Sequence, residues 1–264
     1  MKRHRFGFGL LLALIAFSNV ASAALLSVDL NDRTGGAGST PSPTLAGFGS
    51  FLMSGTTAAS SALESQVVTG YTVTLQAFDD NQDENTVTTG IQNTVGQIDD
   101  RLRTTPVNGG SLTYAELYSD IIFAGTSVGP TGGMDLTVSG GALLPNKLYM
   151  VSLYDFDSGS TPAPQPRTAQ WLDGNSADAL VVNTSFSGAT LPTTNDQYKF
   201  TGFAMTDGTG KLFLKGRNTS PNATSGATTI GVILNGFEIN EVPEPGTFGL
   251  AMVAIPLFCL RRRL

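Results

Sequence analysis

Oxygen-bearing side chains carry whatever chemistry this chain can do. Asp79-x-Asn81-x-Asp83 sets donors at alternating positions, as the first half of a calcium loop does. Glu84 stands where an EF-hand has its glycine, and Gly90 where it has its last glutamate. A solvated acidic loop from Asp79 to Asn85 accounts for the same residues, so Ca2+ is the one cofactor to consider. Asp155 and Asp157 flank Phe156 and offer two carboxylates, on one face of a strand or around a turn. A pyranose has an apolar face and a polar rim, so a sugar site needs an exposed ring beside hydrogen-bonding side chains. Trp171 with Asp173 and Asn175 answers that need first, and Tyr154 with Asp155 second. The competing reading of Trp171 is a core residue, since a large aromatic in a sandwich is usually well buried.

The residues that are missing narrow the chemistry further. The only histidine is His4 and the only cysteine is Cys259, each within a terminal segment that reads as a targeting signal. The chain between those segments therefore has no Ser-His-Asp or Cys-His centre, no His- or Cys-ligated metal and no disulfide. Glycoside hydrolysis by paired carboxylates survives this exclusion, although no Glu-x-Asp-x-x-Glu strand is present. The expectation is a non-catalytic protein, with a carboxylate-dependent glycan hydrolase as an alternative.

Both ends read as address labels. Lys2, Arg3, His4 and Arg5 form a basic start, Phe6 to Phe17 an apolar run, and Ala21-Ser22-Ala23 a small-residue cleavage site. Cleavage is expected after Ala23, which makes 1–23 a signal peptide and implies a secretion translocase and signal peptidase as partners. At the other end, Pro243-Glu244-Pro245 precedes an uncharged run from Gly246 to Leu260 and then Arg261-Arg262-Arg263. As a helix that run spans roughly 22 Å against about 30 Å of hydrocarbon, short enough to need snorkelling arginines or local thinning. The three arginines place its end in the cytoplasm.

This tail resembles the PEP-CTERM sorting signal of Gram-negative bacteria that make exopolysaccharide. Pro243, Glu244 and Pro245 match its motif, and Arg261, Arg262 and Arg263 match its basic cap. The resemblance implies recognition by exosortase, transient anchoring in the inner membrane, and then release to the cell surface or extracellular matrix.

The remaining domain, 24–241, is long enough to bury a full core. The chain has 15 Lys+Arg and 21 Asp+Glu; setting aside six basic residues in the terminal segments and Glu244 leaves 9 basic and 20 acidic groups, a formal −11. Such a surface repels nucleic acid and anionic headgroups, and suits neutral polysaccharide or a divalent cation.

Short strands separated by turn signals predict an all-β sandwich. Leu25–Leu30 opens it, Phe48–Met53 is a short apolar stretch, and Tyr71–Phe78 alternates with Tyr71, Val73, Leu75 and Ala77 on one face. Thr113 and Glu116 have capping-box spacing, which predicts one or two helical turns over Tyr114–Tyr118 before a strand at Ile121. Met134–Val138 and Lys147–Asp155 read as strand partners, the second central because both its faces are apolar. Ala177–Phe186, Gln197–Met205, Gly210–Gly216 and Thr229–Ile239 follow as strands.

The order of these pieces resembles the galactose-binding-like jelly-roll domains of exported PEP-CTERM proteins. The segments that carry the likeness are Asp100-Arg101, Leu117–Phe123, Leu144–Tyr149, Leu153–Asp157 and Leu234–Ile239. It implies a jelly-roll β-sandwich between a signal helix and a transmembrane helix. Its expected role is a surface or matrix protein that binds exopolysaccharide; a structural envelope protein without a specific ligand is the other reading.

Overall fold

The computed structural model describes residues 24–31, 43–53, 63–78, 97–103, 109–125, 133–159, 166–219 and 232–242. Both terminal segments, with their expected helices, and the acidic loop 79–85 lie outside these residues. The described chain is β structure apart from one 3-10 turn, Leu117–Ser119. Its strands are β1 (Leu26–Asn31), β2 (Gly49–Leu52), β3 (Leu63–Val68), β4 (Tyr71–Phe78), β5 (Gln97–Leu102), β6 (Asp120–Gly125) and β7 (Gly133–Gly140). They continue with β8 (Leu148–Tyr154), β9 (Arg167–Asp173), β10 (Ala179–Phe186), β11 (Lys199–Met205), β12 (Leu212–Asn218), β13 (Val232–Leu234) and β14 (Gly236–Glu241).

Three sheets result, with orders β11-β8-β14-β1-β2, β10-β9-β12-β7-β4-β3 and β13-β6-β5. The first two face each other across one core because their strands alternate apolar and polar residues. Val28, Leu30, Val151, Leu153, Phe237 and Ile239 enter that core from the five-stranded sheet. Val73, Leu75, Leu136, Val138, Trp171 and Leu214 enter it from the six-stranded sheet. The short sheet adds Ile98, Ile122 and Leu234 to the same core.

The sandwich has two unlike ends. Leu26 pairs with Ile239 and Glu241 with Tyr149, so the described chain starts and stops at one end. The turns at 69–70, 141–147, 174–178 and 206–211 also lie there. We call this the turn end. The other is the loop end, where the described residues that flank 79–96, 160–165 and 220–231 are found.

Two devices close the edges between the sheets. Gly202 on β11 lies against the Val181 carbonyl on β10, so closely that a β-carbon there would collide with backbone. On the opposite edge, the Gln66 side chain accepts from Leu52 N at 3.0 Å and donates to the Leu52 carbonyl, completing the ladder of β2 from β3. Gln66→Leu strands both groups and should cost about 1–3 kcal/mol, read by urea unfolding. Unchanged stability with unchanged amide exchange at Leu52 would remove Gln66 from this role.

Three sequence expectations need correction. β7 and β8 are not partners: β7 pairs with β4 and β12, whereas β8 pairs with β11 and β14 in the opposite sheet. Thr229–Ile239 is two strands, because Asn235 breaks the run and sends β13 and β14 to different sheets. The one or two helical turns expected over Tyr114–Tyr118 shrink to the single 3-10 turn at Leu117–Ser119, and no side chain caps it as a capping box would. Asn195 reaches in instead, its Oδ1 accepting from Thr113 N at 2.7 Å and Tyr114 N at 3.0 Å, and its Nδ2 donating to the Thr113 hydroxyl at 2.9 Å. One Tyr118 N to Tyr114 carbonyl bond of 3.3 Å then leads into the 3-10 turn, and the helix goes no further.

Candidate functional site

The structure takes the first sugar-site candidate off the surface. Trp171 is fully buried in the core opposite Gly216, where a β-carbon would stand 3.0 Å from the indole and 2.8 Å from the Met134 carbonyl. Gly216 thus makes the room that Trp171 fills. Asp173 is buried too, accepting from Asn175 N at 2.9 Å and Met205 N at 2.8 Å. Asn175 donates to the carbonyls of Met205 and Lys211. The trio therefore clips the 174–178 turn to the neighbouring hairpin and presents no ring to a ligand.

Asp155 and Asp157 lie past the end of β8, in irregular chain just before the turn at 158–159. Arg103 grips Asp157 with two bonds, of 2.6 and 3.1 Å. Burial pushes the Asp155 carboxyl up to about 7; a Thr184 hydrogen bond works against that shift and the Asp157 charge adds to it. A carboxyl near 7 has the proton affinity of a general acid, but Asp155 is only 2% exposed. A glycosidic oxygen has no way to reach it.

Tyr154 leads to an open site. Its side chain lies on the outer face of the five-stranded sheet, within an aromatic cluster at the loop end. Its ring stands 6.2 Å from Phe48, 6.0 Å from Tyr114 and 6.1 Å from Tyr118. Tyr154 itself is buried, and burial first, then the Glu238 charge, drives its phenol pKa well above the usual value. Phe48 and Tyr114 are half-buried and meet edge to face at 5.6 Å. Beside them Lys199 Nζ bonds Glu238 Oε2 at 2.7 Å and lies 5.4 Å from the Tyr154 ring centre. One register step toward the turn end, Thr201 is exposed and shares a 2.8 Å hydrogen bond with Ser152.

Two pins hold the rings in place. The Asn195 contacts fix the backbone of Tyr114, and Tyr118 Oη donates to the Asn195 carbonyl at 2.8 Å. Asp29 Oδ2 accepts from Leu45 N at 2.7 Å, and Phe48 N donates to the Leu45 carbonyl at 3.0 Å. Asp29 is itself buried, which raises its pKa to about 6 despite the Leu45 bond. The result gathers two half-buried rings and an ion pair around Tyr154, with the exposed Thr201 on the same sheet face.

Sequence reading singled out Tyr154 here and missed Phe48, Tyr114, Lys199 and Glu238. The alternation Lys199, Thr201, Phe203, Met205 was the available signal, since it puts an unusually apolar and charged set on one face of β11. The metal candidates Asp79, Asn81 and Asp83 and the sorting residues Pro243, Glu244, Pro245, Arg261, Arg262 and Arg263 lie outside the described residues. Among the described residues no three His, Cys, Asp or Glu side chains gather as a metal-binding group.

No known family model matches the chain, and no curated protein matches it. Among solved structures it is similar to the CBM22-1 xylan-binding domain of Paenibacillus barcinonensis Xyn10C. The identity is 12% and the TM-score 0.33, over 56% of this chain and 85% of that one. The all-β sandwich assigned above rests on its own strand pairings.

Proposed function

We propose that this is a non-catalytic exported protein of the cell surface or extracellular matrix, whose jelly-roll sandwich binds a neutral exopolysaccharide at the Phe48–Tyr114 niche. The observation that carries the reading is the pair of half-buried rings packed on Tyr154, with the Lys199–Glu238 ion pair against the same ring and Thr201 exposed on the same face. Partly exposed rings and side-chain dipoles suit a sugar, and a formal −11 over residues 24–241 disfavours polyanions. The burial of Asp155 and Asp157 supports binding without hydrolysis. In this reading residues 1–23 engage the secretion translocase and signal peptidase. Residues 242–264 hold the protein in the inner membrane until exosortase processes it.

Affinity electrophoresis of the protein through gels of neutral polysaccharide tests the ligand. Wild type should be retarded, and Tyr114→Ala should weaken binding about tenfold, the equivalent of about 1.4 kcal/mol. Trp171→Phe should leave retention intact, because the indole faces the core. Wild-type migration unaffected by every neutral polysaccharide tried would end the binding claim and leave a structural envelope protein.

A further inference from the structure

We propose that the turn end of the sandwich is a lipid-contact surface, on which Leu144, Leu148, Phe203 and Met205 rest against the non-cytoplasmic leaflet while the tail is still in the bilayer. The proposal rests on the anchoring read from residues 242–264 and adds a second, separate membrane contact. Large apolar side chains are normally exposed singly, whereas these four stand together. Leu144 is 51% exposed, Leu148 42%, Phe203 53% and Met205 39%. Register puts Met205 beside Leu148 and Phe203 beside Met150 on the outer face of the five-stranded sheet. Thr206 ties Leu144 to the same corner through a 2.6 Å bond from its hydroxyl to the Leu144 carbonyl.

The position of the chain's exit says what covers this patch. β14 runs toward the turn end, and Glu241 pairs with Tyr149, next to Leu148. Beyond Val242 only Pro243, Glu244 and Pro245 precede the apolar run that starts at Gly246. Even fully extended, the four residues Val242 to Pro245 reach only about 14 Å. A domain on so short a leash keeps its turn end among the headgroups. Charge permits the contact there: Lys147 pairs with Glu241 at 3.1 Å and Lys215 with Asp178 at 3.2 Å, which neutralises both carboxylates in a domain of formal −11. Apolar burial at a nearly neutral end then supplies the attraction, and anionic lipid is not required.

The test uses the full-length protein in zwitterionic vesicles, with Cys259→Ser and an environment-sensitive dye at Met205→Cys. A second protein carries the dye at Ala189→Cys, exposed toward the loop end. Lipids brominated near the headgroup should quench the Met205 dye several-fold more than the Ala189 dye. Adding Leu148→Glu and Phe203→Glu should abolish that difference while the protein still floats with the vesicles. Flotation with equal quenching at the two sites overturns the lipid contact and leaves the anchor reading intact. Failure to float overturns both. Quenching at Met205 that depends on protein concentration rather than on bromination assigns the patch to a second copy of the chain and likewise overturns the proposal.

Discussion

Replacing Asn235 by alanine is expected to destabilise this domain more than any other single polar truncation described above. Asn235 is fully buried, and four parts of the chain meet at it. Its Nδ2 donates to the Asp120 carbonyl at 2.6 Å and its Oδ1 accepts from Phe156 N at 2.7 Å. Its backbone N donates to the Tyr154 carbonyl at 2.8 Å, and its carbonyl accepts from Leu30 N at 2.9 Å. Alanine keeps the two backbone bonds and orphans a buried carbonyl and a buried amide. At roughly 1–3 kcal/mol for each stranded group, the loss is about 2–6 kcal/mol. That is a large part of the 5–15 kcal/mol typical of a folded domain. Asn235→Asp should be worse, since it sets a carboxylate oxygen against the Asp120 carbonyl without water to screen it. Urea unfolding measures both. A loss under about 1 kcal/mol for alanine would show that the break between β13 and β14 does not depend on this side chain.

The second large effect is on pH dependence. Asp155 and Asp29 have folded-state pKa values of about 7 and about 6, above their ordinary 3.8. A carboxyl raised by folding holds its proton more tightly in the folded state. Its contribution is fully present below about 3.8 and is lost as the pH climbs through the folded value. For Asp155 the loss between those limits is of the order of 4 kcal/mol. The domain should therefore melt lower at about pH 8 than at about pH 5, with the decline beginning above about 3.8 and levelling off once the pH passes the folded values of about 6 and about 7. Asp155→Asn preserves the shape and removes the ionisation, so it should raise stability at the alkaline end and change little at the acid end. Parallel melting curves for wild type and Asp155→Asn across that range would contradict the buried-carboxyl account.

Strands were legible in the sequence wherever a face alternated. β4 buries Tyr71, Val73, Leu75 and Ala77 as its pattern demands, and β12 buries Leu212 and Leu214 between lysines. β8 is apolar on both faces and lies inside its sheet. β3 went unread because it inverts the rule: Leu63 and Val67 are exposed, while Glu64 is 3% exposed. The partner of β8 was illegible for another reason. A turn that folds a strand back in its own sheet and one that crosses to the facing sheet need the same glycines and prolines. Trp171 is the core residue that its size suggested, whereas the burial of its neighbour Asp173 was not legible. Only the fold supplies the Met205 and Asn175 amides that let that carboxylate lie inside. The niche was harder still, because Phe48, Tyr114 and Lys199 come from distant segments brought together by two side-chain pins.

The placement of β14 also has a mechanical side. Held at Val242 and pulled by polymer caught near Tyr114, the domain would carry tension along the length of β14, between β8 and β1. Force in that direction strains the rungs on both flanks at once instead of peeling them singly. A strand gripped on two sides resists such shear far better than one at a margin, so a drag on the matrix would break the polymer's hold before it drew the tether out of the sheet.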